Sequence, residues 1–178
     1  MAICKSPAPG TAPNLLVLAE QPDHAEAIET LVDLAFGPDR LRKTSYRLRD
    51  GLEPVSGLGF VVLKGDTLVG TIRFWAVNIG GNTPALLLGP LAIHPDHQGK
   101  GIGRALMHEG LDKARALGWK AVILVGDAPY YTRFGFRPEL TVNLTLPGPV
   151  DRERFLGLNL VPGTLDGISG PVERVDKP

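Results

Sequence analysis

A buried strand that runs into a glycine-rich loop and then into an amphipathic helix leaves few folds open, and residues 85–106 have this layout: A-L-L-L-G-P-L-A-I-H-P-D-H-Q-G-K-G-I-G-R-A-L. Residues 86–88 and 91–93 are uninterruptedly apolar, the pattern of a strand covered on both faces in a partly parallel sheet. Gly89-Pro90 interrupts the run. Proline cannot donate to a ladder and glycine marks bulges, so the strand is predicted to bend there and to stop pairing cleanly with one neighbour. His94-Pro95-Asp96 then closes it as a turn. Over residues 98–103 glycines alternate with other residues directly before the helix, so backbone N–H groups converge at a positive helix end, a place suited to phosphate oxygens.

Three loop chemistries compete for such a stretch, and spacing separates them. A Walker A loop needs Ser or Thr after its lysine, whereas Gly101 follows Lys100. A dinucleotide fingerprint needs Gly or Ala at its last place, which is Arg104 counted from Gly99 and Leu106 counted from Gly101. The spacing that does occur is Gln, any, any, Gly, any, Gly, carried by Gln98, Gly101 and Gly103. It resembles the acyl-CoA pyrophosphate loop of the GNAT superfamily of N-acetyltransferases.

A second motif follows at the distance that this resemblance requires. Residues 120–125 read as a short buried strand, expected to return parallel to the central one. Pro129 can then open a short helix and Gly135 can close it. The superfamily carries tyrosine, any, basic, any, Gly, Phe at this place, matched by Tyr131, Arg133, Gly135 and Phe136. The resemblance spans residues 14–137 and departs at Asp127, where the superfamily often has asparagine. An anionic side chain there would repel a cofactor carbonyl.

The resemblance implies an α/β (α+β) fold with a mixed, mostly antiparallel sheet, a splayed parallel strand pair and flanking helices. It implies acetyl-CoA as co-substrate and no metal. The thioester would lie near Leu91, Ala92 and Ile93, and the pyrophosphate against Gln98, Gly99, Lys100, Gly101, Ile102, Gly103 and Arg104. Tyr131 takes the general-acid place, since a phenol of pKa about 10 can pass a proton at small cost to a departing thiolate whose thiol has a pKa of about 8.5. The alternative for Tyr131 is ring packing beneath the pantetheine or in the core, with Tyr130 as its exposed neighbour.

The remaining chain fits one domain. Its 178 residues, 43% of them hydrophobic, suffice for one sizeable core. The proline-rich start suggests a flexible leader over 1–13 and a single domain over 14–178. Nineteen Lys and Arg balance 19 Asp and Glu, so no global field favours nucleic acid or an acidic membrane surface. No apolar run approaches the roughly 18 residues of a membrane span, no signal peptide is evident, and the lone Cys4 cannot form an internal disulfide; a cytoplasmic setting fits.

In order, a strand is expected over 15–19, then a helix to about Phe36 with Ala27, Ile28, Leu31, Val32, Leu34 and Ala35 as its apolar stripe. Residues 40–49 could form a second helix; Arg40, Arg42, Lys43, Arg47 and Arg49 are read as a solvated face, with one or two shaping an acceptor site as the alternative. Strands over 60–64 and 67–77 form a hairpin about Gly65-Asp66, and a looser turn over 78–84 leads into the central strand. The helix after the loop, 101–117, places Ile102, Leu106, Leu111, Ala114 and Leu117 toward the sheet. Segments 141–146 and 155–161 read as an antiparallel edge, and 160–170 resembles the C-terminal segment of one bacterial branch of these enzymes.

The reading is an acetyl-CoA-dependent N-acetyltransferase acting on a primary amine, with a catalytically silent acyl-CoA-binding sensor or interaction module as the alternative. A nucleotide-binding α/β protein ranks third. An amine nucleophile needs a base, for which Glu53, Asp127, His94 and His97 are candidates. His94 and His97 lack a third ligand at suitable spacing, so no metal site is expected. Tyr46 and Trp75 are assigned to core packing, with acceptor-pocket walls as the alternative. Small-molecule and protein amines both stay open as acceptors, as does a homodimer.

Overall fold

The structure, a computed structural model, describes residues 16–175. Cys4 and the leader expected over 1–13 lie outside the described residues. An eight-stranded sheet organises the chain, with its main path in the order β1 (Val17–Ala19), β2 (Gly59–Lys64), β3 (Thr67–Ile79), β4 (Thr83–Ile93), β5 (Ala121–Val125) and β7 (Phe155–Asn159). Neighbours on this path are antiparallel except β4 and β5. Gly65 turns the first hairpin with φ 59°, and Gly80 and Gly81, also at positive φ, turn the second.

Helices cover both faces, which is why the central strands are apolar without alternation. Helix α1 (Ala25–Phe36) buries Ile28, Leu31 and Val32 against Val61, Leu68 and Ala92. On the opposite face α3 (Ile102–Ala116) buries Ile102, Leu106, Met107, Leu111 and Ala114 against Ile72, Phe74, Leu86, Leu88, Val122 and Leu124. Alternate residues of the same strands, Trp75, Val77, Leu87 and Ile123, pack with Phe155 and Leu165. Side chains of this size each contribute roughly 1.5–3 kcal/mol on full burial. Gly110 lets α3 sit close to the sheet, because a Cβ there would lie 2.6 Å from the Phe74 ring.

Several boundaries differ from expectation. Ala27 and Leu34 of α1 are exposed, and Leu117 falls just past α3 and is half-exposed, so each apolar stripe is narrower than the sequence pattern. Residues 40–49 do not form one helix. A 3-10 turn over Pro38–Arg42 is followed by the four-residue α2 (Thr44–Arg47). The solvated-face reading fails for two of its five cations, since Arg40 and Arg49 are 7% and 8% exposed. Arg40 is drawn in by Glu29 and Asp33, at 2.7 and 2.6 Å.

The tail is also rearranged. Thr141 belongs to a 3-10 turn, and only β6 (Leu144–Thr145) remains of the expected 141–146 strand. It runs parallel to β8 (Gly170–Arg174), a strand missed in the sequence, and β8 in turn pairs antiparallel with the end of β3. The glycine and proline content around 160–171 hides β8, because its single buried side chain, Val172, gives no periodicity.

Candidate active site

The central strand opens the sheet. Parallel pairing of β4 with β5 is confined to Leu86 with Val122 and Leu87 with Ile123. On its other side β4 pairs Leu88 with Phe74 and Leu91 with Ile72, so Gly89 and Pro90 face the single residue Arg73 as a bulge. Gly89 has φ 128°, which a side chain would strain, and the bond to Pro90 is cis. Its carbonyl accepts the Trp75 indole N–H at 2.6 Å. Beyond the bulge, 91–93 stay hydrogen-bonded to β3 while their edge toward β5 carries no strand. An extended amide chain could pair with such an edge.

This wedge is part of a cavity of about 820 Å³. Leu91, Ala92, Ile93, Gln98 and Gly99 line one side, and Asp127, Tyr130 and Tyr131 line the other. Lys100, Gly101, Ile102, Gly103 and Arg104 follow directly on the loop and first turn of α3. Gly99 and Gly101 have φ of 73° and 84°, and Gly101 is the N-cap. Ala105 N–H is the first to close a helical bond, to Gly101 O at 3.0 Å, so the preceding N–H groups have no intrahelical acceptor and can serve an anion. The side chain of Ile102 is buried in the core, so only its backbone can take part. Lys100 Nζ donates to Asp96 O at 2.8 Å, and Arg104 is exposed.

The two tyrosines sit on α4 (Ala128–Tyr131), which Pro129 opens; a 3-10 turn extends it to Gly135, at φ 92°. Their rings meet edge to face at 5.0 Å. They point differently. A Cβ on Gly103 would lie 2.5 Å from the Tyr130 hydroxyl, which places Tyr130 at the start of α3. Tyr131 packs against Gly126 and Phe136 at the end of β5, partly buried and on the cavity wall. Burial pushes its phenol above the ordinary value, and Tyr130 and Asp127 push it further. The proton is held through neutral pH, and its transfer to sulfur is more uphill than ordinary values imply.

Of the four candidate bases, Asp127 alone lies on the cavity wall. Glu53 is exposed elsewhere, and His94 and His97 contact each other across the turn after β4. Among the described residues, no three His, Cys, Asp or Glu side chains come together as a cation would need. Tyr46 lines this cavity and an adjoining one of about 410 Å³, while Trp75 is both core and a wall of the smaller one.

Sequence reasoning missed Arg154 as a cavity residue and held Arg49 only within the alternative reading, as one of five cations that could shape an acceptor site. Arg154 is tied to the end of β5, its Nε donating to Gly126 O at 3.3 Å. Arg49 stacks on Tyr46 with its guanidinium carbon 4.1 Å from the ring centroid. Burial lowers its pKa to about 10; Tyr46 and Glu29 counter this while Arg40 and Arg73 reinforce it. The local density of arginines over 40–49 was the available signal, but nothing in spacing separates an inward from an outward cation on so short a helix.

Residues 25–136 match the acetyltransferase (GNAT) family. An uncharacterized N-acetyltransferase, YhbS of Escherichia coli K12, is 30% identical over 161 residues, covering 89% of this chain and 95% of its own. The crystal structure of YhbS in complex with CoA superposes with a TM-score of 0.77 over 93% of both chains. A GNAT family acetyltransferase from Brucella melitensis in complex with acetyl-CoA is 28% identical, with a TM-score of 0.69 over 91% of this chain and 96% of its own.

Proposed function

The chain belongs to the acetyltransferase (GNAT) family, and on that premise we propose that it is an acetyl-CoA-dependent N-acetyltransferase that modifies a primary amine by direct attack, with residues 14–178 acting as one cytoplasmic domain. The observation that carries this reading is the unpaired β4 edge over 91–93, continuous through Gln98 and Gly99 with the unclosed N–H groups at the start of α3. An apolar slot with a strand edge at one end and an anion cradle at the other fits an amide-bearing arm that ends in a pyrophosphate.

Acetyl-CoA supplies the acetyl group and departs as the thiol. The backbone of Leu91, Ala92 and Ile93 orients the thioester and offers N–H groups to its carbonyl oxygen as charge builds there. Gln98, Gly99, Lys100, Gly101, Ile102, Gly103 and Arg104 hold the pyrophosphate, mainly through backbone donors. Asp127 takes the proton from the attacking nitrogen, directly or through one water. Its carboxylate stands where the superfamily often has asparagine, a change that suits proton acceptance better than contact with a carbonyl. Tyr131 gives its proton to the sulfur as the C–S bond breaks. Both anions of that exchange are desolvated in the same wedge, which narrows the difference that burial creates.

The test is release of free CoA from acetyl-CoA in the presence of a panel of primary amines. Amine-dependent thiol release at rates well above the no-amine background supports the enzyme. Tight CoA binding with no release supports the alternative, a catalytically silent acyl-CoA sensor or interaction module, which the weakly acidic Tyr131 favours.

A further inference from the structure

Three arginines meet beneath the bulge, and two of them are satisfied. Arg40 donates to Asp33 and Glu29 at 2.6 and 2.7 Å and to the Tyr46 hydroxyl at 3.1 Å. Arg73 donates to Glu20 through Nε and Nη2 and to Glu29 through Nη1. Charge in the cluster balances, three cations against Glu20, Glu29 and Asp33, but hydrogen bonds do not. Arg49 receives none of these carboxylates. Its Nε donates to Ser45 O at 3.2 Å and its Nη2 to Ser45 Oγ at 3.1 Å, and Nη1 is buried without a partner.

A buried guanidinium nitrogen without an acceptor costs stability and calls for an explanation. Arg40 and Arg73 show how this fold treats structural arginines: it saturates them. Arg49 is instead held rigid by Ser45 on one edge and by the Tyr46 face, while its remaining donor is turned toward Gly89, 3.9 Å from where a Cβ on that residue would lie. It is on the wall of both the 820 Å³ cavity and the adjoining 410 Å³ one, so it stands where the thioester slot meets the smaller space.

We propose that Arg49 Nη1 receives a carboxylate of the acceptor, so that the amines this protein acetylates are amino acids. The inference rests on the acetyltransferase reading for the transfer step, though not for binding. A carboxylate suits the site better than a phosphate. Only one nitrogen is free, Glu29 shares the smaller cavity, and a monoanion completes the guanidinium without crowding that second carboxylate.

Two measurements separate this inference from the acetyltransferase reading. The first is the ratio of kcat/KM for an amino acid over its amide, for glycine with glycinamide and β-alanine with β-alaninamide. The wild type should favour the acids by about 10- to 100-fold, the range of a charge-assisted hydrogen bond, and Arg49→Gln should bring the ratio near one while Arg49→Lys keeps part of it. The second is calorimetric binding of glycine and glycinamide to the CoA-saturated protein, which needs no turnover. Arg49-dependent preference for glycine in binding, with no acetylation of any amine, supports the carboxylate site and overturns the acetyltransferase reading instead. Acetylation of amides as fast as of acids, a preference that survives in Arg49→Gln, or Arg49-dependent preference for aminomethylphosphonate over glycine overturns the inference. If Arg49→Gln does not fold, as its melting curve will show, the Arg49→Lys ratio decides between the same outcomes.

Discussion

Trp75 donates its indole N–H to the carbonyl of Gly89 at 2.6 Å, a buried hydrogen bond that pins the bulge of β4 to the strand beside it. The bulge is what parts β4 from β5, so this bond secures the wedge from the far side of the strand. Trp75→Phe keeps an aromatic ring but leaves Gly89 O buried without its donor. The expected cost is about 1–3 kcal/mol in denaturant unfolding, together with weaker CoA binding. Full CoA affinity in a variant destabilised by that amount would show that the wedge does not depend on the bond.

The cradle should depend on backbone rather than charge. Gly101→Val forces a β-branched residue to φ 84°, and Gly103→Val places a side chain against the Tyr130 hydroxyl at the helix start. Both variants should fold and lose CoA binding, whereas Lys100→Ala and Arg104→Ala should weaken it less, because the unclosed N–H groups persist. Calorimetric titration with CoA checks this; wild-type affinity in a folded Gly101→Val sinks the loop assignment.

The bulge in β4 and the path of the glycine loop into α3 were legible because each depends on local chemistry. Gly89-Pro90 cannot sit in a regular ladder, and glycines at 99, 101 and 103 before an amphipathic stretch leave little choice of backbone path. The same holds for Pro129 and Gly135 around the tyrosines. What was not legible depends on distant partners. Arg40 is buried because Glu29 and Asp33 of α1 reach it, a contact that no local pattern encodes; Arg49 touches its near neighbours Ser45 and Tyr46, but what buries it is its approach to Trp75 and Gly89, far away in sequence. β8 escaped for a related reason. Its pairing with residues 77–79 joins segments almost a hundred positions apart, and its own sequence opens on Gly170-Pro171, which reads as a turn.

Tyr131→Phe should keep the fold and acetyl-CoA affinity and lower kcat by about 10² to 10⁴, while Tyr130→Phe, whose hydroxyl points to the helix start, should do much less. The pH profile adds a sign. Burial raises the Tyr131 phenol, so loss of its proton cannot produce a falling limb in kcat below about pH 10. Equal kcat for Tyr131→Phe and wild type would mean that the thiolate leaves without a protein acid.

Arg49 should carry a cost in stability as well as a role in recognition. Its folded value of about 10 lies below that of the unfolded chain, so the unfolded state holds the proton more tightly and stability rises with pH across that window. The penalty is therefore fully present at neutral pH and eases only as pH rises past that value. Against it stand the two bonds to Ser45 and the stacking on Tyr46, the latter worth about 0.5–2 kcal/mol. Arg49→Met fills similar volume without charge and should leave the protein at least as stable as wild type near pH 7, with that advantage shrinking above pH 10. Glycine added with CoA should raise the melting temperature of the wild type and leave that of Arg49→Met unchanged, because only the former gains a partner for its buried donor. A clear loss of stability in Arg49→Met at pH 7 would instead mark Arg49 as a structural residue whose contacts outweigh its burial.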